Sequence, residues 1–139
     1  MRIQFALCAQ TATIDRTTNR LSIVNVMDVL PVSSFPLLIP NMCFICSIEG
    51  RKDVERTVKG FFQILSNDVL VGAMDVPINF TENALARIVL NLQGIPVRKP
   101  GNLTCRLTLP SGLLAETNFQ VISVGPKEAI QAINPTAHS

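Results

Sequence analysis

Several kinds of residue are scarce in this chain. Tryptophan and tyrosine are absent, only one histidine occurs, and charged residues make up 16% of the 139 positions. The histidine, His138, lies in the C-terminal tail, so the usual general base and a common metal ligand fall outside the region expected to fold. We therefore expect no histidine-dependent catalytic triad.

Strong charge and long apolar runs are also missing. The net charge is +2, which does not favour nucleic acid or an anionic membrane as a partner. No segment approaches the roughly 20 apolar residues of a membrane-spanning helix, and the first residues alternate too regularly for a signal peptide. No glycine-rich phosphate loop precedes a helix. The expected location is the cytoplasm, and no membrane partner or cofactor is expected.

Apolar residues make up 47% of the chain. They occur in short runs that alternate with polar residues and are separated by turn residues. This pattern predicts one all-β domain, a two-sheet antiparallel sandwich of about eight strands, immunoglobulin-like or related. The sandwich is expected over residues 1–124. Residues 125–139 are expected to form a tail with a short helix after Pro126, or no ordered structure.

Three segments give specific structural expectations. In the first strand, alternation places Ile3, Phe5 and Leu7 on one face and Gln4, Ala6 and Cys8 on the other. Residues 21–30 form a second strand, apolar on both faces, that is either central or bulged. Residues 31–41 contain three prolines, which predict a segment that crosses between sheets and not a central strand.

Three stretches of the chain resemble a family of short bacterial proteins whose function is unknown. They are Leu7-Cys8-Ala9-Gln10 with the turn into Leu21-Ser22-Ile23-Val24, the Ser34-to-Pro40 crossing, and Leu90-Asn91-Leu92-Gln93-Gly94 through Lys99-Pro100-Gly101 to Leu113-Leu114-Ala115-Glu116. The resemblance covers about residues 7–123. It implies the sandwich fold and brings no catalytic or binding residues with it.

The four cysteines are the first candidates for chemistry. Cys43 and Cys46 have the spacing of a redox pair or half a metal site. Because they lie on a predicted strand, residues three apart point to opposite faces and cannot easily share an ion. Cys8 and Cys105 each occur in an alternating strand, as small core residues do. Structural, reduced thiols are favoured over a metal site or a disulfide, and no metal or catalytic residue is assigned.

Charged residues offer weaker candidates. Asp28 and Asp75 fall within predicted strands, where solvent-facing positions explain them more simply than a catalytic pair. Weak basic patches occur around one turn and in one loop, and neither has the aromatic residues that single-stranded nucleic acid stacks on. The first consists of Arg51, Lys52, Arg56 and Lys59, and the second of Arg98 and Lys99.

The crossing segment carries the strongest functional expectation. Its four large apolar side chains, Phe35, Leu37, Leu38 and Ile39, are too many for one extended segment to bury. They form either an interaction surface or a loop that caps the core. The sequence thus favours a non-catalytic module for protein interaction or self-association. The alternative is a binder of a small apolar ligand between the sheets. Nucleic-acid binding and a carboxylate- or cysteine-based enzyme are less favoured.

Overall fold

The computed structural model describes residues 1–50, 56–81 and 84–125. These residues form nine strands and no helix. The strands are β1 (Arg2–Ile14), β2 (Leu21–Val26), β3 (Val29–Val32), β4 (Leu37–Glu49), β5 (Thr57–Ser66), β6 (Val69–Asn79), β7 (Leu85–Val97), β8 (Gly101–Thr108) and β9 (Leu114–Ser123). The predicted tail helix lies outside the described residues.

The strands form two sheets. Sheet A has the order β2-β1-β4-β7, and sheet B has the order β3-β9-β8-β5-β6. Every pair is antiparallel except β3 with β9, which is parallel. The all-β, two-sheet prediction is confirmed. Nothing among the described residues is a helix of the length and apolarity needed to cross a membrane.

The predicted second strand is in fact two strands. The chain leaves sheet A after Val26 and enters sheet B at Val29. Asn25 has a φ of 57°, and the Met27 amide donates to the Cys8 carbonyl at 2.7 Å, which turns the chain out of the first ladder. Apolar residues on both faces of residues 21–30 therefore reflect a change of sheet. This split also explains why the sandwich has nine strands and not eight.

The proline-rich crossing is shorter than predicted. The chain does pass from sheet B to sheet A here, but between Val32 and Leu37, through a cis Phe35-Pro36 bond. Residues from Leu37 onward already pair with β7. Because β1 pairs with β4 only from Cys43 to Glu49, the first residues of β4 have a ladder on one side alone. A proline is tolerated at such a position, which is why Pro40 lies within a strand.

The predicted assignment of β1 side chains to two faces is wrong, because the strand contains a β-bulge. The register with β4 shifts between Ile3 and Phe5. Ile3, Ala6 and Cys8 consequently pack in the core between the sheets, whereas Phe5 points away from it. One extra residue in a strand exchanges the two faces, and the alternation of the sequence does not reveal where it is inserted.

The main core fills the space between the sheets. Its largest fully buried side chains are Phe44, Phe62, Phe119, Met42, Ile48, Ile78, Leu103 and Leu107. The rings of Phe44 in sheet A and Phe62 in sheet B lie 5.1 Å apart at an angle of 46°. These contacts hold the two sheets together by burial of apolar surface.

A second, smaller cluster lies on the outer face of sheet A. Ala9, Cys43 and Ile45 are buried there, and Ala12, Leu21, Ile23 and Val89 pack against them. The Asn19 carbonyl, in the turn between β1 and β2, accepts a hydrogen bond of 2.6 Å from Arg87 Nη1 on β7. The end of the β1–β2 hairpin therefore lies over the outer face of sheet A and covers it.

Candidate interaction surface

The structure separates the four apolar side chains of the crossing segment. Ile39 is buried at 5% exposure, and Phe35 and Leu37 are partly buried against the main core. Leu38 is 63% exposed. The first three cap the core, and Leu38 alone presents a large apolar surface to solvent.

Leu38 lies at one end of the sandwich, beside a cleft. It pairs across the ladder with Pro96 of β7. Pro96 in turn lines an open cleft of about 620 Å³ between β6, the β5–β6 turn and the loop after β7. We call this the end cleft, and its lining residues are Ser66, Asn67, Val69, Leu70, Val71, Pro96, Arg98 and Lys99.

One wall of the end cleft is apolar and exposed. Val69 and Leu70, the first two residues of β6, are 65% and 53% exposed. They follow the turn residues Asn67 and Asp68, which have φ values of 49° and 66°. Two successive left-handed residues form the type of tight hairpin turn that matches the twist of the strands. The turn therefore fixes these two side chains at the mouth of the cleft.

Hydrogen bonds tie this turn to the opposite wall. The Asn67 side chain donates to the Pro100 carbonyl at 3.1 Å and accepts from the Asn102 amide at 3.1 Å. The Asn67 amide also donates to the Asn102 carbonyl at 2.8 Å. The loop that carries Arg98 and Lys99 is thus connected directly to the β5–β6 turn, and the cleft has a defined shape.

The opposite wall carries positive charge. Arg98 and Lys99 both line the cleft, and no acidic residue does. Within residues 1–50, 56–81 and 84–125 neither forms a salt bridge: the three ion pairs found there are Arg2–Glu49, Lys59–Asp75 and Arg106–Glu116. The end cleft thus combines apolar surface with two cations that are available to a ligand.

The other predicted basic patch is at the opposite end of the strands. Arg51 and Lys52 lie outside the described residues. Arg56 is exposed just before β5, and Lys59 pairs with Asp75 at 3.1 Å. This pairing offsets the charge of Lys59. Arg98 and Lys99 lie on a concave surface, the end cleft.

Cys43 and Cys46 lie on opposite faces of β4, in different buried clusters. Cys43 lies in the outer cluster, and its Sγ contacts Asn91 Oδ1 at 3.0 Å, whereas Cys46 lies in the main core. Burial raises the pKa of the Cys46 thiol to about 12. The predicted alternation is confirmed, and a thiol with this pKa is almost entirely protonated at neutral pH.

Cys8 and Cys105 meet across the two sheets. The neighbouring Cys8 thiol, together with burial, raises the pKa of Cys105 far above its ordinary value. Both side chains belong to the main core, and both thiols are free. The contact therefore acts as core packing between β1 and β8.

The two candidate acids do not meet. Asp28 is exposed at the junction of β2 and β3, and Asp75 is exposed on β6, at the other edge of sheet B. In the portion of the chain that is described, no three histidine, cysteine or acidic residues are close enough to hold a metal ion. His138 lies outside that portion.

The sequence pattern does not distinguish Val69 and Leu70 as surface residues. They were counted as part of an apolar strand, since Val69, Leu70 and Val71 are consecutive apolar residues. Three such residues cannot all face the core of a strand. They follow the turn residues Asn67 and Asp68 directly, but the sequence does not show that this strand lies at a sheet edge.

Comparison with known proteins gives a family and no activity. A family model described as a family of unknown function (DUF6941) matches residues 4–122, which include all nine strands except the first two residues of β1 and the last residue of β9. No curated protein matches the chain.

Proposed function

The chain belongs to this family of unknown function, and since membership supplies no activity, we propose from the structure that the protein is a non-catalytic interaction module. Its binding surface is the end cleft together with Leu38. The ligand is another protein or a second copy of this chain. Among the described residues, the four cysteines are buried, and Asp28 and Asp75 lie at opposite edges of sheet B, which supports a binding role over a catalytic one.

The observation that carries this proposal is the grouping of exposed apolar side chains at one end of the molecule. Val69 and Leu70 from sheet B face the same cleft as Pro96, which pairs with the exposed Leu38 of sheet A. Single exposed apolar residues are common, but contiguous groups rimmed by charge typically mark interaction sites. Arg98 and Lys99 provide that rim.

Site-specific photocrosslinking tests the proposal. A photoreactive amino acid replaces Val69 in one version of the protein and Leu114 in another, and both are irradiated in cells of the source organism. Leu114 is the matched control, because it is an exposed aliphatic residue on the far side of sheet B. We expect discrete adducts, either a cross-linked dimer or one protein partner, from position 69 only.

A second substitution tests whether the adduct forms at the end cleft. Leu38→Asp in the version with the photoreactive residue at position 69 places a charge beside the cleft, and we expect it to reduce the adduct severalfold. Ile14→Asp, on the β1–β2 hairpin, also places a charge at an exposed aliphatic position, away from the cleft, and should leave the adduct unchanged. Equal adducts from positions 69 and 114, or none from position 69, would show the proposal to be wrong.

We also propose a cytoplasmic location. All four cysteines are buried and free, although Cys8 and Cys105 are in contact. Adjacent thiols persist without oxidation in reducing compartments. Cell fractionation with a tagged full-length chain tests this, and recovery in a secreted or periplasmic fraction would contradict it.

A further inference from the structure

The end cleft contains the edge of a sheet as well as side chains. β6 is the last strand of sheet B, and β5 is its one partner within the described residues. Val69, Leu70 and Val71 at the start of β6 line the cleft, and a register shift against β5 makes Val71 the extra residue of a β-bulge. An edge strand presents unpaired N–H and C=O groups, which pair readily with an extended chain.

The opposite wall defines the charge of the chain that would fit. Arg98 and Lys99 lie across the cleft from β6, and no carboxylate belongs to the lining. Asp68 lies in the turn before β6 and not in the cleft, and Asp75 within β6 pairs with Lys59. A ligand that places a carboxylate on this wall would therefore gain two charge-assisted contacts.

We propose that the end cleft binds an extended acidic segment of a partner protein. The segment adds as a strand along the free edge of β6 at residues 69–71, and its carboxylates face Arg98 and Lys99. Its apolar side chains pack on Val69 and Pro96. This inference rests on the proposed interaction function and specifies the chemistry of the partner.

Protein fits this cleft better than nucleic acid does. Single-stranded nucleic acid binds through aromatic stacking platforms and a basic groove, and no lining residue is aromatic. An unpaired strand edge beside aliphatic side chains is instead the arrangement by which proteins bind peptides through main-chain hydrogen bonds. The two cations then set which peptides are preferred.

Among the described strands, the other three sheet edges are β3, β2 and β7, and β7 carries Pro96, which has no amide hydrogen to donate, where it lines the cleft. β3 has four residues and contains Pro31, which has no amide hydrogen to donate. β2 has six residues and belongs to the hairpin that covers sheet A. β6 has eleven residues, and its first three lie at the mouth of the cleft.

Selection from a library of random linear ten-residue peptides tests the proposed charge preference. The full-length chain and the variant Arg98→Glu/Lys99→Glu are used as separate baits. We expect peptides that bind the wild type to be enriched in Asp and Glu, and peptides that bind the variant to lose this enrichment or to become basic. Arg56→Glu/Lys59→Glu changes the same number of charges at the opposite end, and it should select the same acidic peptides as the wild type.

The strongest selected peptide then tests the mode of binding. Its addition should shift the NMR amide resonances of residues 69–71 most, and the charge-reversed variant should bind it at least about tenfold more weakly. Successive amides of an extended peptide point to opposite edges of the strand. N-methylation of the set that faces β6 should therefore abolish binding, and N-methylation of the other set should not. Binding unaffected by methylation of either set would contradict addition to β6.

Three outcomes would overturn the inference. They are selected peptides with no acidic enrichment, amide shifts located elsewhere on the molecule, and an oligo-dT ten-mer that binds the cleft more tightly than any selected peptide. Each of these leaves the crosslinking result at position 69 intact. Failure of the inference and failure of the interaction function can therefore be told apart.

Discussion

At the scale of single residues, Gly60 shows how closely the core is packed. A Cβ atom at this position would lie 2.8 Å from Ile78 Cδ1 and 3.0 Å from Leu107 Cδ1. Both of those side chains are fully buried, so they have little room to move. A glycine in the middle of β5 is therefore required by the neighbouring strands and not by its own backbone.

We predict that Gly60→Ala lowers the free energy of unfolding by about 1–3 kcal/mol, because the added methyl group overpacks the core. Urea denaturation measures this. Gly72→Ala on the neighbouring strand β6 is the control, since its Cβ would have Ile64 Cδ1 at 3.9 Å as its nearest neighbour. Its effect should stay within about 1 kcal/mol. A loss at Gly72 as large as that at Gly60 would contradict the packing argument.

Asp15 makes the β1–β2 hairpin sensitive to acid. Its Oδ1 accepts hydrogen bonds from the backbone amides of Thr18, at 3.2 Å, and Thr17, at 2.8 Å. These bonds favour the ionised carboxylate, so the pKa of Asp15 lies below its ordinary value of 3.8. A lowered pKa in the folded state adds stability above the unfolded-state pKa, and this contribution is lost as pH falls through the folded-state pKa.

The corresponding prediction concerns Asp15→Asn, which cannot ionise. The wild type should have the higher Tm at about pH 6, and the difference should shrink as the pH falls below 3.8 and through the lowered folded-state pKa. Thermal unfolding followed by circular dichroism across this range measures the difference. If the difference in Tm were the same at every pH, the charge of Asp15 would not be its source.

At the scale of elements, the β1–β2 hairpin buries part of the outer face of sheet A. Ile45 is fully buried although it points away from the other sheet, because Ile23 and Leu21 of the hairpin pack in the same cluster. The Arg87–Asn19 hydrogen bond fixes the end of the hairpin above sheet A. Sheet A is thus covered on both faces over part of its area.

We predict that Ile45→Ala costs about 2–4 kcal/mol of unfolding free energy, as a substitution in the main core would. Val24→Ala, on the exposed side of β2, should change it by less than about 0.5 kcal/mol. Urea denaturation of both variants provides the comparison. A cost for Ile45→Ala as small as that for Val24→Ala would mean that the hairpin does not seal the outer cluster in solution.

Alternation of residues was sufficient to predict the class of fold. The strands around Ile88 and Leu90, and around Cys105 and Leu107, have the expected inner and outer faces. The bulge in β1 and the change of sheet after Val26 could not be predicted, since both depend on which strands lie alongside. The burial of Ile45 is another consequence of packing between segments distant in sequence.

The candidate site was predicted only in part. Leu38, Arg98 and Lys99 were each recognised as candidates, but nothing in the sequence indicated that they lie at one end of the sandwich. Their proximity depends on the pairing of β4 with β7 and on the Asn67 hydrogen bonds to the following loop. Val69 was missed because an apolar strand does not show which of its residues reach the surface.

At the scale of the whole molecule, one core joins both sheets. Cys46 of sheet A and Cys105 of sheet B belong to the same buried cluster. Burial raises the pKa of Cys46, and the neighbouring Cys8 thiol, together with burial, raises that of Cys105. Both thiols should therefore react with alkylating reagents only after the core opens.

We predict that sheets A and B unfold together. Pulsed alkylation at increasing urea concentration, read by mass spectrometry, should give the same midpoint for Cys46 and Cys105. That midpoint should coincide with the loss of β-sheet circular dichroism, as two-state unfolding requires. Labelling of Cys46 at a clearly lower urea concentration would show that sheet A separates and unfolds first.

The parallel pairing of β3 with β9 has a consequence for synthesis of the protein. Val29 pairs with Gln120, and Val32 pairs with Ser123, so an early strand takes as its partner the last strand described. A chain emerging from the ribosome cannot complete this edge until nearly the whole domain has been translated. β3 and its apolar residues therefore stay without a partner during most of elongation, when a chaperone or another nascent chain could bind them.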